Sequence, residues 1–459
     1  MRFQPTSELR LLLFALLAGC SSVAGFAGCF SNSDTPSTSG AGAPGTAHGA
    51  SGPEGCAVAG GAPKVAPSGY YTNGAQVCSA SGEPHIFQGV DRPSLEWSAD
   101  GDHISAQDFL EMGQAWHANV VRIAMNQDFW LSNASLYSPN YAATIDQAVT
   151  SAELAGLDVI LDLHWSDQGN LSAQLAGTGI KNDTAGYSMQ QPMADANSVM
   201  FWAQVASRYK GDGHVLFELY NEPNGIDWDT WLNGGTFEGY VVAGMQQLYN
   251  AVRVTAGADN VVIAGGLSWA FDLSGVATHP IQGYNVMYAT HPYRAGDPES
   301  EWSGYFGYLA AQNIAPVIVT EFGDNESNCT GAWDTSLIQY AQGLQISWTA
   351  WAWYPGGCSF PSLISDWSSY TPTVQGVAVQ AALAQLPAPT SWIATDASSP
   401  EGSSSEGSAE DVSADAGDAS VATVDGSGAN GTTADGTTAD GTTADGTTAD
   451  GTTADGANE

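Results

Sequence analysis

The chain has 459 residues, enough for one large domain or two medium ones, and its 43% apolar content can bury a sizeable core. Ten Lys and Arg stand against 48 Asp and Glu, a formal charge of −38, which excludes binding to nucleic acid or to anionic lipid surfaces. The 15 Trp, 17 Tyr and 14 Phe exceed what a core usually needs, and aromatic faces stack well on sugar rings.

Residues 1–19 read as an export leader: Arg2 and Arg10 flank a short start, and residues 11–18 are an apolar run too short to span a bilayer. The run ends in Leu17-Ala-Gly-Cys20, which resembles a bacterial lipobox and implies cleavage before Cys20 and lipidation of its thiol. A weaker candidate, Phe26-Ala-Gly-Cys29, lacks the branched aliphatic residue in first position. Six cysteines are present, and export permits disulfides. Cys56 with Cys78 and Cys329 with Cys358 are the natural local pairs. An anchor at Cys20 leaves Cys29 unpaired, whereas an anchor at Cys29 keeps the count even. The motif and the parity disagree, and Cys20 is preferred because the apolar run stops beside it. No CxxC spacing marks a metal site, and neither a metal nor an organic cofactor is expected.

Residues 20–61 are rich in Ser, Gly, Ala, Thr and Pro without apolar periodicity, as in a flexible tether. The folded region is expected over 62–393. It alternates near-continuous apolar runs at 85–90, 119–125, 158–165, 215–220, 260–265, 284–291, 316–321 and 347–353 with amphipathic stretches at 105–117, 141–155, 194–210 and 240–255. Eight parallel strands alternating with helices predict an α/β fold, a (β/α)8 TIM barrel. The rival, an open doubly wound sheet, would carry a Gly-rich phosphate loop after its first strand, and none is found. Residues 394–459 are acidic and of low complexity, with 14 acidic residues, no Lys or Arg, and five copies of Gly-Thr-Thr-Ala-Asp over 431–455. Such a repeat has nothing large and apolar to pack, so a solvated spacer is expected.

Two of the apolar runs end in a glutamate beside a chain-turning residue. Glu222 precedes Pro223, and Glu321 lies two residues before Gly323. A strand that delivers a carboxylate at its carboxyl end is suited to a cleft, and two such deliveries suggest the paired acids of a retaining glycoside hydrolase. The other strand ends carry Arg122, His164, Asn221, His291 with Tyr293, and Trp351, a set hard to explain as packing.

In chain order, Asn119-Val-Val-Arg122, Leu161-Asp-Leu-His164, Tyr220-Asn-Glu-Pro223, His291-Pro-Tyr293, Thr320-Glu-Phe-Gly323 and Trp348-Thr-Ala-Trp-Ala-Trp353 resemble glycoside hydrolase family 5, the cellulase-like family. The resemblance runs from about residue 85 to 353. It implies an endo-acting, configuration-retaining β-glycanase with Glu222 as acid/base and Glu321 as nucleophile. The residues argue the same chemistry: Arg122 and Tyr293 would keep Glu321 anionic, and Asn221 would hold the substrate 2-hydroxyl. His164 and His291 would hydrogen-bond substrate and orient the carboxyls, and Trp351 would face the sugar in the cleaved position. Glu218 and Asp162 are expected to form a buried layer beneath. Trp165, Trp269 and Trp302 are possible sugar subsites, residues 324–326 possible cleft lining, and the long insertion 166–193 a shaper of the cleft.

The expected partner is a polysaccharide: β-1,4-glucan first, β-mannan or another β-glycan second. A monomer is expected, exported as a surface or outer-membrane lipoprotein or secreted, touching the membrane only through its anchor. A surface protein that binds glycans without turnover is the reading from another class, and the intact Glu222/Glu321 pair speaks against it. A third class is a structural surface protein whose tail is the functional part.

Overall fold

Runs of Val, Ile and Leu with no polar alternation must be covered on both faces, which a parallel strand wrapped by helices achieves. The computed structural model describes Cys56, residues 62–176 and residues 186–393. Within it these runs become β1 (Gln88–Arg92), β2 (Val120–Asn126), β3 (Asp158–Trp165), β4 (Val215–Glu218), β5 (Val262–Gly265), β6 (Val286–Thr290), β7 (Val317–Val319) and β8 (Ser347–Ala350). They pair in parallel, each with the next, and β8 closes on β1, giving the eight-stranded barrel expected of the sequence. The leader, Cys20, Cys29, most of the tether and the repeat tail lie outside the described residues. No helix among the described residues is long and apolar enough to cross a membrane.

Strand alternation sorts the side chains into two cores. Val121, Ile123, Val159, Leu161 and Leu163 point outward into a large core shared with the helices. Phe87, Val120, Ile160, Leu216, Ile263, Met287 and Ile318 point inward and fill the lower barrel. One step up, the same inward parity places Asp91, Arg122, Asp162 and Glu218 in a charged layer. Gly89 belongs to the inner row: a Cβ there would sit 1.8 Å from the Val120 carbonyl, so β1 and β2 can approach only around a glycine.

A small antiparallel sheet of Tyr70–Asn73, Gln76–Ser79 and Pro84–His85 was not foreseen. Tyr70 and Val77 join the inner core from below. The Tyr70 hydroxyl donates to Asp158 (2.8 Å), and His214 Nδ1 lies 2.8 Å from the other Asp158 oxygen. The Cys56–Cys78 disulfide ties the chain ahead of this sheet to its second strand.

The helices mostly follow the amphipathic stretches, at Ala106–Leu110, Tyr141–Leu154 and Ala196–Tyr209. The stretch expected as helix over 240–255 differs. Tyr240–Val242 is instead extended and pairs with Gly235–Phe237, and the helix starts only at Met245. Glu238 and Gly239, both with positive φ, turn the hairpin, and the β-branched Val241 and Val242 suit a strand better than a helix.

Candidate active site

The expected strands overshoot the ladder, and that difference builds the site. β4 stops at Glu218 and β7 at Val319, so Glu222 and Glu321 lie beyond the hydrogen-bonded sheet, on the loops at its carboxyl end. Tyr220 illustrates the break. Alternation would aim it inward, but it packs in the outer core and its hydroxyl exchanges hydrogen bonds with the Gln191 backbone (2.9 and 3.2 Å).

The fully buried Arg122 organises the layer beneath. Its guanidinium donates to Glu218 through Nε (2.6 Å), to Glu321 (2.7 Å) and to Asn221 Oδ1 (2.6 Å), with Asp162 at 2.9 Å and Asp91 at 3.6 Å. One guanidinium thus faces four carboxyl groups, more than it can neutralise. Burial pushes Asp91 and Asp162 well above the usual carboxylate range despite Arg122. At Glu218, burial is outweighed by Arg122 and by His291, and its acidity is strengthened. Glu218 also accepts from the Thr320 hydroxyl (2.7 Å).

Glu321 accepts from Arg122 on one oxygen and from the Tyr293 hydroxyl on the other (2.8 Å). Burial alone would raise it, but His291, Arg122 and the Tyr293 hydroxyl outweigh burial and bring it down to about 2, so it is ionised. His291 is 1% exposed and spans the two acids, with Nδ1 3.2 Å from Glu222 and 3.7 Å from Glu321, and Nε2 2.9 Å from Thr320. Burial would lower His291, but Glu321 and its bonds to Glu218 and Glu222 push it up to about 10. One oxygen from each glutamate and a His291 nitrogen all lie within 4.8 Å of one another. The three groups form one compact cluster in which His291 bridges the two acids.

The remaining expected residues gather here too. His164 bonds Asp162 through Nδ1 (2.7 Å), is kept neutral by burial, and stacks under Trp351 at 5.6 Å between ring centres. Trp351 clusters with Tyr293 and Phe360. Trp348 and Trp353 are buried in the outer core, so of the three alternating tryptophans only Trp351 lies against the site. The side chain of Glu222 is 20% exposed and that of Glu321 5%, so the first is the more open to solvent. Asp162 and Glu218 form the deep layer expected of them.

Other expectations need correction. Trp302 is 2% exposed and packs on Trp333, Phe306 and Tyr340, so it offers no sugar platform. Asp324 is buried, pairs with Arg294 (2.9 Å) and accepts from the Thr330 backbone N–H; it braces the loop after β7 and does not line a cleft. Trp269, in contrast, is 49% exposed, and its backbone N–H donates to the Pro223 carbonyl beside Glu222. The Cys329–Cys358 bond joins the loops after β7 and β8. Sequence reasoning missed Asp91, Thr320 and Gln190. Asp91 pairs in register with Arg122 across β1 and β2, so a reading of the inward positions of β1 would have found it. Gln190 sits in the insertion after β3 with no local signal.

Residues 78–357 match the model of the cellulase family, glycosyl hydrolase family 5. The chain belongs to glycosyl hydrolase family 5. It is therefore a glycoside hydrolase. An endoglucanase of Paenibacillus polymyxa is 25% identical over 352 residues, covering 66% of this chain and 84% of that protein. Endoglucanase E-5 of Thermobifida fusca is 26% identical over 293 residues, covering 61% of this chain and 54% of that protein. The chain thus spans about half the length of the Thermobifida relative. Among solved structures, the β-glucanase SdGluc5_26A of Saccharophagus degradans shares the fold at a TM-score of 0.56 and 22% identity, over 70% of this chain and 97% of that one. The catalytic domain of Thermobifida fusca endoglucanase Cel5A does so at 0.53 and 20%, over 69% and 97%. Family 5 membership and the barrel agree with the resemblance seen in the strand-end motifs.

Proposed function

We propose that this family 5 enzyme is an endo-acting β-glycanase that cleaves β-1,4-glucan with retention, using Glu321 as nucleophile and Glu222 as acid/base. The observation that carries the reading is the closeness of the two carboxylates, whose nearest oxygens lie within 4.8 Å. Retaining enzymes hold their carboxyl groups about 5–5.5 Å apart, whereas inverting enzymes leave about 6.5–9.5 Å for a water between them. In the first step Glu321 attacks the anomeric carbon, the glycosidic C–O bond breaks, and Glu222 gives its proton to the leaving oxygen. In the second, Glu222 takes a proton from water, the water oxygen bonds the anomeric carbon, and Glu321 leaves as carboxylate. Arg122 and Tyr293 stabilise the carboxylate that departs, Asn221 holds the 2-hydroxyl, and Trp351 supports the sugar ring in the cleaved position. His291 and His164 orient the carboxyls. The exposed Trp269 beside Pro223 suits the leaving-group side.

The glucan assignment is supported by relatives named endoglucanase. Action outside the cytoplasm, from a secreted or lipid-anchored enzyme, is supported by the leader and the two disulfides. The test is reducing-end release from soluble cellulose, mixed-linkage glucan, mannan and xylan by the wild type and by Glu321→Gln, with the first-formed anomer read by NMR. A β-anomer from a glucan, lost in the variant, supports the whole reading. Release from mannan alone replaces the substrate, an α-anomer overturns retention, and silence on all four points to glycan binding without turnover.

A further inference from the structure

The two acids differ in how they are held. Glu321 has a cation and a phenol on its carboxylate, whereas among the described residues the Glu222 carboxyl meets His291 alone, at 3.2 Å. Glu222 also stands four residues beyond the last ladder residue of β4, and the sheet reaches no further than the Asn221 N–H, which donates to the Leu163 carbonyl (3.1 Å). The support comes from the far end of the insertion after β3. Gln190 accepts a hydrogen bond from Asn221 Nδ2 (2.9 Å) and donates through Nε2 to the Glu222 carbonyl (3.2 Å) and the Gln191 carbonyl (3.0 Å). The next residues continue the contact: Gln191 N–H donates to the Tyr220 hydroxyl, and Asn224 N–H donates to the Pro192 carbonyl (2.8 Å). At its near end the strap is fastened by paired backbone bonds between Ser166 and Met189 (3.1 and 3.0 Å).

We infer that Gln190 is a positioning residue for the acid/base. It holds the Glu222 carbonyl together with Asn224 Nδ2 (3.1 Å), and it fixes the amide of Asn221, whose oxygen is taken by Arg122 and whose nitrogen needs an acceptor. The inference rests on the assignment of Glu222 as acid/base. Without Gln190 the carboxyl drifts from the leaving oxygen, and displacements of about 1 Å in a catalytic group cost on the order of 100-fold in rate. That loss must scale with the need for a proton, because a leaving group that departs as a stable anion does not require the acid.

The test compares aryl β-cellobiosides with poor (phenyl) and good (2,4-dinitrophenyl) leaving groups in the full-length enzyme. Gln190→Ala is read beside Gln190→Glu, which keeps an acceptor for Asn221 but cannot donate to the Glu222 carbonyl, and beside Glu222→Ala as the reference for a lost acid. We expect Gln190→Ala to lower kcat/KM on the phenyl glycoside on the order of 10- to 100-fold while the dinitrophenyl glycoside stays within about twofold, with Gln190→Glu between. Equal losses on both glycosides, or no loss on either, overturn the inference. If Glu222→Ala shows the leaving-group dependence and azide rescue but Gln190→Ala does not, only the role of Gln190 fails. If Glu222→Ala shows neither, the acid/base assignment fails and the inference falls with it.

Discussion

Arg122 carries more of this site than its single positive charge suggests. Its guanidinium hydrogen-bonds both Glu218 and Glu321, and it orients Asn221 as well. Breaking a buried ion pair by removing one partner leaves uncompensated charge and typically costs 3–5 kcal/mol. Arg122→Met is therefore expected to lose on the order of 3–5 kcal/mol in denaturant unfolding at neutral pH. The same change removes a main cause of the low Glu321 value, so any residual activity should fall off at higher pH on the acid side than in the wild type. Tyr293→Phe tests the other contact. It deletes one donor to Glu321 and little volume, and the expected outcome is a kcat lower by roughly 100-fold with a folded, normally melting protein. The linkage sign for Glu321 follows from its depressed value: its contribution to stability is present above the unfolded-chain value near 4.5 and is lost as pH falls toward about 2.

At the scale of elements, the insertion after β3 is held at its base by buried acids. Gln127 bridges Asp167 (3.0 Å) and Asp195 (2.9 Å), and Asp195 also caps the helix Ala196–Tyr209. Asp128 lies beside them, and among the described residues no Lys, Arg or His comes within salt-bridge distance of the three. Burial raises Asp128 to about 6, and burial with mutual repulsion raises Asp167 and Asp195 to about 7 each. Raised carboxyl values mean that the folded state holds protons which the unfolded chain has released. Stability from this cluster therefore declines as pH rises from about 4 through about 7. The wild-type thermal midpoint should be higher at pH 5 than at pH 8, and Asp128→Asn should narrow that difference; an unchanged difference would remove Asp128 from the account. A second element-scale device is the Cys329–Cys358 bond between the loops that carry Glu321 and Trp351. With the cysteines 29 positions apart in sequence, its loss by Cys329→Ser should cost on the order of 3 kcal/mol, read as a lowered denaturant midpoint.

At the scale of the whole molecule, the barrel is a stack of layers inside one closed sheet. A floor sheet and an apolar plug lie below, a charged layer follows, and the two acids sit on the loops above. Every proposed site residue lies within 62–393, so removal of residues 394–459 is expected to leave kcat/KM on soluble glucan within about twofold. A larger loss would show that the acidic repeats take part in catalysis or substrate capture. The charge arithmetic makes the tail a distinct region: 14 of the 48 acidic residues lie in it and none of the ten basic ones.

By itself the sequence determined the barrel, because a strand covered on both faces needs a continuous apolar run, and eight such runs alternate with amphipathic stretches. It also determined where the acids go, because Glu222 and Glu321 stand where an apolar run meets Pro or Gly, which puts them past the carboxyl end of a parallel ladder. The tertiary structure alone decided who holds them. Arg122 meets Glu218, Asn221 and Glu321 from 96, 99 and 199 residues away, and Gln190 reaches Asn221 from 31. Such partners come together through barrel closure and loop packing, which no local pattern of residues encodes. For the same reason the raised values of Asp91 and Asp162 and the lowered value of Glu218 are properties of the assembled layer, set by burial around Arg122 and His291.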